Sequence, residues 1–147
     1  VDASKGIMAW CKENVELNGL SGDKIRYIVD DAAKFVGREI KRGNKYDAVI
    51  MDPPSYGRGP GGEVWTLEDK IYSLTSLLSE VLTDNPSFFI INSYTTGLAP
   101  SVIGNILKMT VMDKFGGEVE AGELALPIGN SSYVLPCGST ARWVNKK

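Results

Sequence analysis

The chain has 147 residues, 43% of them hydrophobic, enough for one domain with a sizeable core and too much for a disordered chain. Lysine and arginine total 16 against 18 aspartates and glutamates, a formal charge of −2, so no global field steers it to nucleic acid, although a local basic rim is compatible with that total. No apolar run approaches the roughly 18 residues of a membrane span, and no leader peptide is expected.

Val1-Asp2-Ala3-Ser4 reads as the end of a strand entering a helix, so the chain is expected to begin within a fold. Asp2 or Ser4 can cap that helix, with Ile7, Cys11 and Val15 on one face and Asn18-Gly19 as its stop. Ile25 to Val29 is predicted as a short strand. A second helix follows Asp30-Asp31, with Phe35, Val36 and Ile40 inward, and ends at Gly43-Asn44. Asp47 to Met51 is almost wholly apolar after its first residue, which predicts a parallel strand buried on both faces. Asp52-Pro53-Pro54 must end it, because proline cannot continue a central ladder. Tyr56 to Gly62, rich in glycine, is predicted to be a mobile loop.

Thr66-Leu67-Glu68-Asp69 resembles a capping box, and Leu67, Ile71, Leu74, Leu78 and Leu82 mark one face of the following helix. Phe88 to Asn92 is a further buried strand. Pro100 suits the first turn of a helix that turns Ile103, Ile106 and Leu107 inward. Glu123–Ile128 and Thr140–Val144 read as strands, and the lack of a helical crossover makes them antiparallel. The order predicts a mainly parallel α/β sheet with helices on both faces and a C-terminal antiparallel hairpin. Ligands bind such sheets beyond the carboxyl ends of the strands, where Asp2, Asp30-Asp31, Asp52 and Asn92-Ser93-Tyr94 fall.

The sharpest motif is Asp52-Pro53-Pro54-Ser55-Tyr56. The Asp52 carboxylate and the backbone carbonyl after it can accept hydrogen bonds from a planar exocyclic amine. Two prolines fix these acceptors, and Tyr56 can stack on a flat ring. Such a site aims a nitrogen lone pair at an electrophile by orientation; the alternative is a rigid strand-ending turn. Asp2 can bind ribose hydroxyls or serve as a cap, and Asp30 or Asp31 can accept from an adenine amine while the other caps. Arg58 can contact a phosphate or carboxylate, or face solvent. Asn92 and Tyr94 can line the pocket, and Trp65 is expected to pack on the helix start. With no histidine, the commonest metal ligand and the usual neutral-pH base are absent, so no metal is expected. Cys11 is placed in the core, and Cys137 in a loop without a basic partner. Without a CxxC pair the two thiols are expected to be free, in a reducing, cytoplasmic compartment.

Four stretches carry a family resemblance: Val1-Asp2-Ala3-Ser4-Lys5, Asn14 to Leu20, Asp31-Ala32-Ala33-Lys34-Phe35, and Tyr46-Asp47 through Asp52-Pro53-Pro54-Ser55-Tyr56-Gly57-Arg58-Gly59; the Ala141-Arg142-Trp143 ending joins them. The chain resembles class I S-adenosylmethionine-dependent methyltransferases, in particular the group containing the large-subunit ribosomal RNA enzymes. The resemblance implies a Rossmann-like fold and S-adenosylmethionine (SAM) as cofactor. It implies that Asp2 binds the cofactor ribose, that Ser4 and Asp52 also contact the cofactor, that Asp31 with Ala32 lies against its adenine, and that Asp52, Pro53 and Pro54 line the methyl-transfer site. Tyr56 would border the substrate, and Arg58 and Tyr94 would contact it, with RNA as the expected acceptor. The family's first strand and its glycine-rich motif have no counterpart here, so the segment alone is expected to bind SAM weakly. The Ile25–Val29 strand is then expected to be detached, to pair with Asp47–Met51, or to be completed by another chain, with self-association through exposed sheet edges. Where the cytosine-C5 enzymes carry a cysteine nucleophile, this chain has Asn92-Ser93-Tyr94-Thr95-Thr96, which favours transfer to nitrogen. Two other classes remain open: a nucleotide hydrolase using Asp52 to hold magnesium, and a non-enzymatic RNA- or protein-binding domain.

Overall fold

A computed structural model of the chain describes residues 1–20, 24–58 and 62–146. They fall into two units, Val1–Asn44 and Lys45–Lys147.

In the first unit, helix α1 spans Lys5–Leu17 and helix α2 spans Ala32–Arg42. Ser4 caps α1, its Oγ accepting from the Ile7 amide at 3.3 Å. Asn18 closes it, and Gly19 follows at φ +65°, a left-handed conformation that favours glycine. No residue of α1 is fully buried, so Cys11 is half-buried and not the core residue its helical phase suggests. Residues 25–28 form no strand. Val29 makes one isolated parallel bridge to Asp2, with Asp2 N donating to Ile28 O and Asp30 N to Asp2 O, both at 3.0 Å. The apolar composition is strand-like, but a ladder needs a neighbour along its length, and here the only partner residue among those described is Asp2. In α2 the buried positions are Val36 and Glu39, while Ile40 stays exposed. Glu39 is held by Arg42 at 2.9 Å and by Asn44 at 2.8 Å, which offsets the cost of burying its charge. The predicted stop at Gly43 is the C-cap, at φ +71°.

In the second unit the chain order is β1 (Ala48–Met51), β2 (Tyr56–Arg58), β3 (Val64–Thr66), α3 (Leu67–Ser79), β4 (Phe88–Ser93), α4 (Pro100–Leu107), a π-helical turn (Lys108–Met112), α5 (Asp113–Phe115), β5 (Glu118–Pro127) and β6 (Val134–Val144). One sheet runs β1-β4-β6-β5, with β1 and β4 parallel and the other two pairs antiparallel. The C-terminal hairpin is longer than predicted, and it joins the sheet through β6. Val49 and Met51 pack on the core while Ile50 is 66% exposed, so β1, an end strand, is not buried on both faces.

The core forms where α3 and α4 pack on β4 and β6: Leu67, Ile71, Leu82, Phe89, Ile91, Ile103, Leu107, Ala141 and Trp143 are all buried. The predicted faces of α3 and α4 are the ones used. Thr66 stands at the N-cap of α3 without capping an amide; its hydroxyl donates to Asp69 Oδ2 at 2.5 Å. The shorter Asp at the third position takes the hydroxyl directly, in place of the reciprocal backbone bonds of a capping box. Tyr56–Arg58, predicted as loop, pairs antiparallel with Val64–Thr66 as a two-stranded hairpin. The predicted mobile stretch between them includes residues 59–61, which lie outside the described residues.

Candidate active site

Parallel pairing of β1 with β4 sets Met51 opposite Ile91. The chain leaving β1 at Asp52 therefore emerges beside the chain leaving β4 at Asn92-Ser93-Tyr94. This is the carboxyl end of two adjacent strands, where the sequence placed a site.

The Asp52–Ser55 loop is tied down from three directions. Trp65 Nε1 donates to the Pro54 carbonyl at 2.7 Å, the Leu67 amide donates to the Ser55 carbonyl at 3.0 Å, and Thr95 Oγ1 donates to Ser55 Oγ at 2.8 Å. Pro53 is buried, whereas Asp52, Pro54, Ser55 and Tyr56 are exposed. The Pro54 and Ser55 carbonyls are thus used within the protein. With those two carbonyls taken, the exposed carboxylate of Asp52 is an acceptor left open to an incoming amine. Trp65 fastens the loop as well as packing beside α3.

Surrounding protein raises the Asp52 pKa above its ordinary 3.8 by desolvation, and a hydrogen bond from Tyr94 partly offsets the rise. The Asp52 charge in turn raises the Tyr94 pKa, aided by desolvation, the same hydrogen bond and the nearby Cys137. Asp52 and Tyr94, from two adjacent strand exits, thus each raise or lower the other's ionisation. Tyr56 and Arg58 share a face of β2, and Arg58 Nε donates to Tyr56 Oη at 2.8 Å. Both are exposed, so ring and guanidinium offer an open flat surface next to the loop. Asn92 is half-buried, and the buried Ser93 Oγ accepts from the Thr95 amide at 3.2 Å.

The remaining predicted residues gather in the first unit. The Asp2–Val29 bridge sets Asp2 next to Asp30. Asp2 Oδ1 accepts from the Ser4 amide at 2.7 Å, and Asp31 Oδ1 accepts from the Lys34 amide at 2.8 Å as the cap of α2. Each contact engages one oxygen, and an ionised carboxylate has further acceptor sites for hydroxyls or an amine. Asp30 is paired with Arg38, so the division of labour between the two aspartates is one cap and one ion pair. Ala32 opens α2 and is exposed, leaving a flat approach beside the cap.

Two features of the site have no plain signature in the sequence, the Ser55–Thr95 contact and the place of Gly138. Ser55 and Thr95 lock the two strand exits together, but a pair of hydroxyls 40 residues apart leaves no local pattern. Gly138 lies in β6 against Ser93 and Tyr94, and Cys137 is in that strand and not in a loop. A glycine inside an otherwise strand-like stretch is the signal that could have flagged it. Among the described residues no cluster of three His, Cys, Asp or Glu side chains could hold a metal, and no helix is long and apolar enough to cross a membrane.

No family model matches the chain. A crystal structure of a SAM-dependent methyltransferase from Agrobacterium tumefaciens is 34% identical, with a TM-score of 0.88, over 98% of this chain and 47% of that one. SMU.776, a structure complexed with SAH, aligns at 20% identity and a TM-score of 0.69 over 97% of this chain and 37% of its own. Among curated proteins, ribosomal RNA large subunit methyltransferase I of Klebsiella pneumoniae strain 342 is 38% identical over 56 residues. That match covers 38% of this chain and 14% of the Klebsiella protein. The chain thus spans less than half the length of these relatives.

Proposed function

For a chain that resembles SAM-dependent methyltransferases and has their Rossmann-like fold, we propose methyl transfer from SAM to a nitrogen on a planar acceptor, a nucleic acid base and in the first instance ribosomal RNA. One observation carries the reading: an exposed carboxylate, Asp52, stands on a loop pinned by Trp65, Leu67 and Thr95 beside two exposed tyrosines, Tyr56 and Tyr94. The likeness to the Klebsiella ribosomal RNA enzyme supports the choice of acceptor. Two free thiols accord with a reducing, cytoplasmic setting. Self-association through the end strands β1 and β5 is part of the proposal, and sedimentation would reveal it.

In this reading the first unit supplies acceptors for the cofactor. Asp2 would take ribose hydroxyls through acceptor capacity left by its Ser4 contact, and Asp31 with Ala32 would border the adenine. When bound, SAM supplies an electrophilic methyl group on a sulfonium. Asp52 holds the acceptor N–H, so that the nitrogen lone pair is aimed and need not be created by a strong base. As the new N–CH3 bond formed, the sulfonium S–CH3 bond would break and leave a neutral thioether, and Asp52 would take the surplus N–H proton and pass it to solvent, to which it is open. Tyr56 stacks on the ring, and Arg58 keeps the phenol in place.

Two measurements bear on these roles. Calorimetry should detect SAM binding by the native polypeptide, with Asp2→Ala weakening it roughly tenfold through loss of a charge-assisted hydrogen bond. Unchanged affinity would remove Asp2 from the cofactor site. Tyr56→Ala should raise the KM for a nucleic acid acceptor roughly tenfold, since stacking a base on an aromatic ring contributes about 1–3 kcal/mol. The KM for SAM should stay near that of the parent. An unaltered acceptor KM would mean that the ring does not touch the substrate.

A further inference from the structure

β6 does not pair evenly with β5. Leu124 faces Gly138 and Ala125 faces Pro136, so Cys137 is the extra residue of a β-bulge. Gly138 follows at φ +142°, a conformation that L side chains rarely adopt. On its other side β6 pairs with β4 up to Ser93↔Ser139, which sets the bulge against the Ser93-Tyr94 peptide. A Cβ on Gly138 would lie 2.3 Å from the Ser93 carbonyl oxygen and 3.2 Å from Tyr94 Cδ1. The first contact is with backbone, which cannot rotate away as a side-chain end can.

We infer that Gly138 is a positioning residue: its missing side chain lets the bulged β6 close over Ser93, and this seats the Tyr94 ring at the exit of β4, beside the chain that leaves β1 at Asp52. Its catalytic consequence rests on the methyl-transfer reading above; the seating of Tyr94 over Gly138 does not.

The test therefore has two independent readouts, on Gly138→Ala, Tyr94→Phe, Asp52→Asn and the Gly138→Ala/Tyr94→Phe double variant. The first is Tyr94 ionisation, followed by tyrosinate absorbance with Tyr94→Phe as the blank. In the parent it should lie above the ordinary 10.0, and both Gly138→Ala and Asp52→Asn should bring it back toward that value. The second is kinetic. Gly138→Ala and Tyr94→Phe should each lower kcat roughly tenfold with little change in the KM for SAM, as expected for the loss of one hydrogen bond to a charged group. The double variant should be no slower than the slower single, because both remove the same contact. A folded Gly138→Ala protein with a parent-like Tyr94 titration would overturn the inference, as would effects that multiply in the double variant. If Gly138→Ala does not fold, Tyr94→Phe decides alone. Without its hydrogen bond Asp52 should protonate at higher pH, moving the acid limb of kcat upward, and an unmoved limb overturns the seat. A normalised Tyr94 titration in Gly138→Ala, with no methyl transfer by any protein including the parent, would keep the seat and reject the function.

Discussion

Asp52→Ala is expected to lower kcat for methyl transfer by about 10–100-fold, the effect of deleting one charge-assisted hydrogen bond that orients the reacting nitrogen. The loss should appear in kcat more than in the affinity for SAM. Melting should be nearly unchanged, because the loop is held through Pro54, Ser55, Trp65, Leu67 and Thr95 and not through the carboxylate. Asp52→Asn keeps an acceptor oxygen and should lose less. The pH dependence separates the two further. Desolvation raises the Asp52 pKa above 3.8, so parent activity should fall as the pH is lowered through that raised value, where protonation takes away acceptor capacity. Asp52→Asn should lack this limb. A parent-like pH profile in Asp52→Asn would show that another group titrates.

The largest effect on stability is expected at Trp143. Its ring is fully buried in β6, tilted at 52° against Phe115 with centroids 6.1 Å apart, and its Nε1 donates to the Gly116 carbonyl at 2.7 Å. It is flanked by Phe89 on β4 and Val119 on β5. Trp143→Ala leaves a large cavity and orphans that carbonyl, at a cost of about 3–5 kcal/mol. Domains are commonly stable by only about 5–15 kcal/mol, so urea unfolding should show most of that margin gone. Trp143→Phe should cost less, since it refills part of the volume. A loss below about 1 kcal/mol for the alanine variant would mean that this core is not the one that holds β6.

Much of the second unit was legible in the sequence because its signals are local. The period of Leu67, Ile71, Leu74 and Leu78 names the buried face of α3, and Asp52-Pro53-Pro54 must end β1. What escaped depends on neighbours. Ile25–Val29 has strand composition but only Asp2 to bridge, so it forms no ladder. Ile50 looks like a core residue until β1 proves to be an end strand. Tyr56–Arg58 is glycine-interrupted and short, yet cross-strand pairing with Val64–Thr66 makes it a hairpin. At the site, Asp52, Tyr56, Arg58 and Tyr94 were named from chemistry and strand position. Arg58 meets Tyr56 within one strand, two residues apart on one face of β2, whereas Tyr94 comes beside Asp52 only through the pairing of β4 with β1. The seat at Gly138 needed a bulge that alternation alone does not reveal.

Asp52 is proposed to present a base nitrogen to the methyl group of SAM. The most direct test incubates the native polypeptide with methyl-labelled SAM and unmodified ribosomal RNA, then locates the label by nucleoside mass spectrometry. The parent reaction should yield an N-methylated base, and Asp52→Ala should lower the label by about 10–100-fold. Label on a ring carbon, or full labelling by Asp52→Ala, would contradict that role.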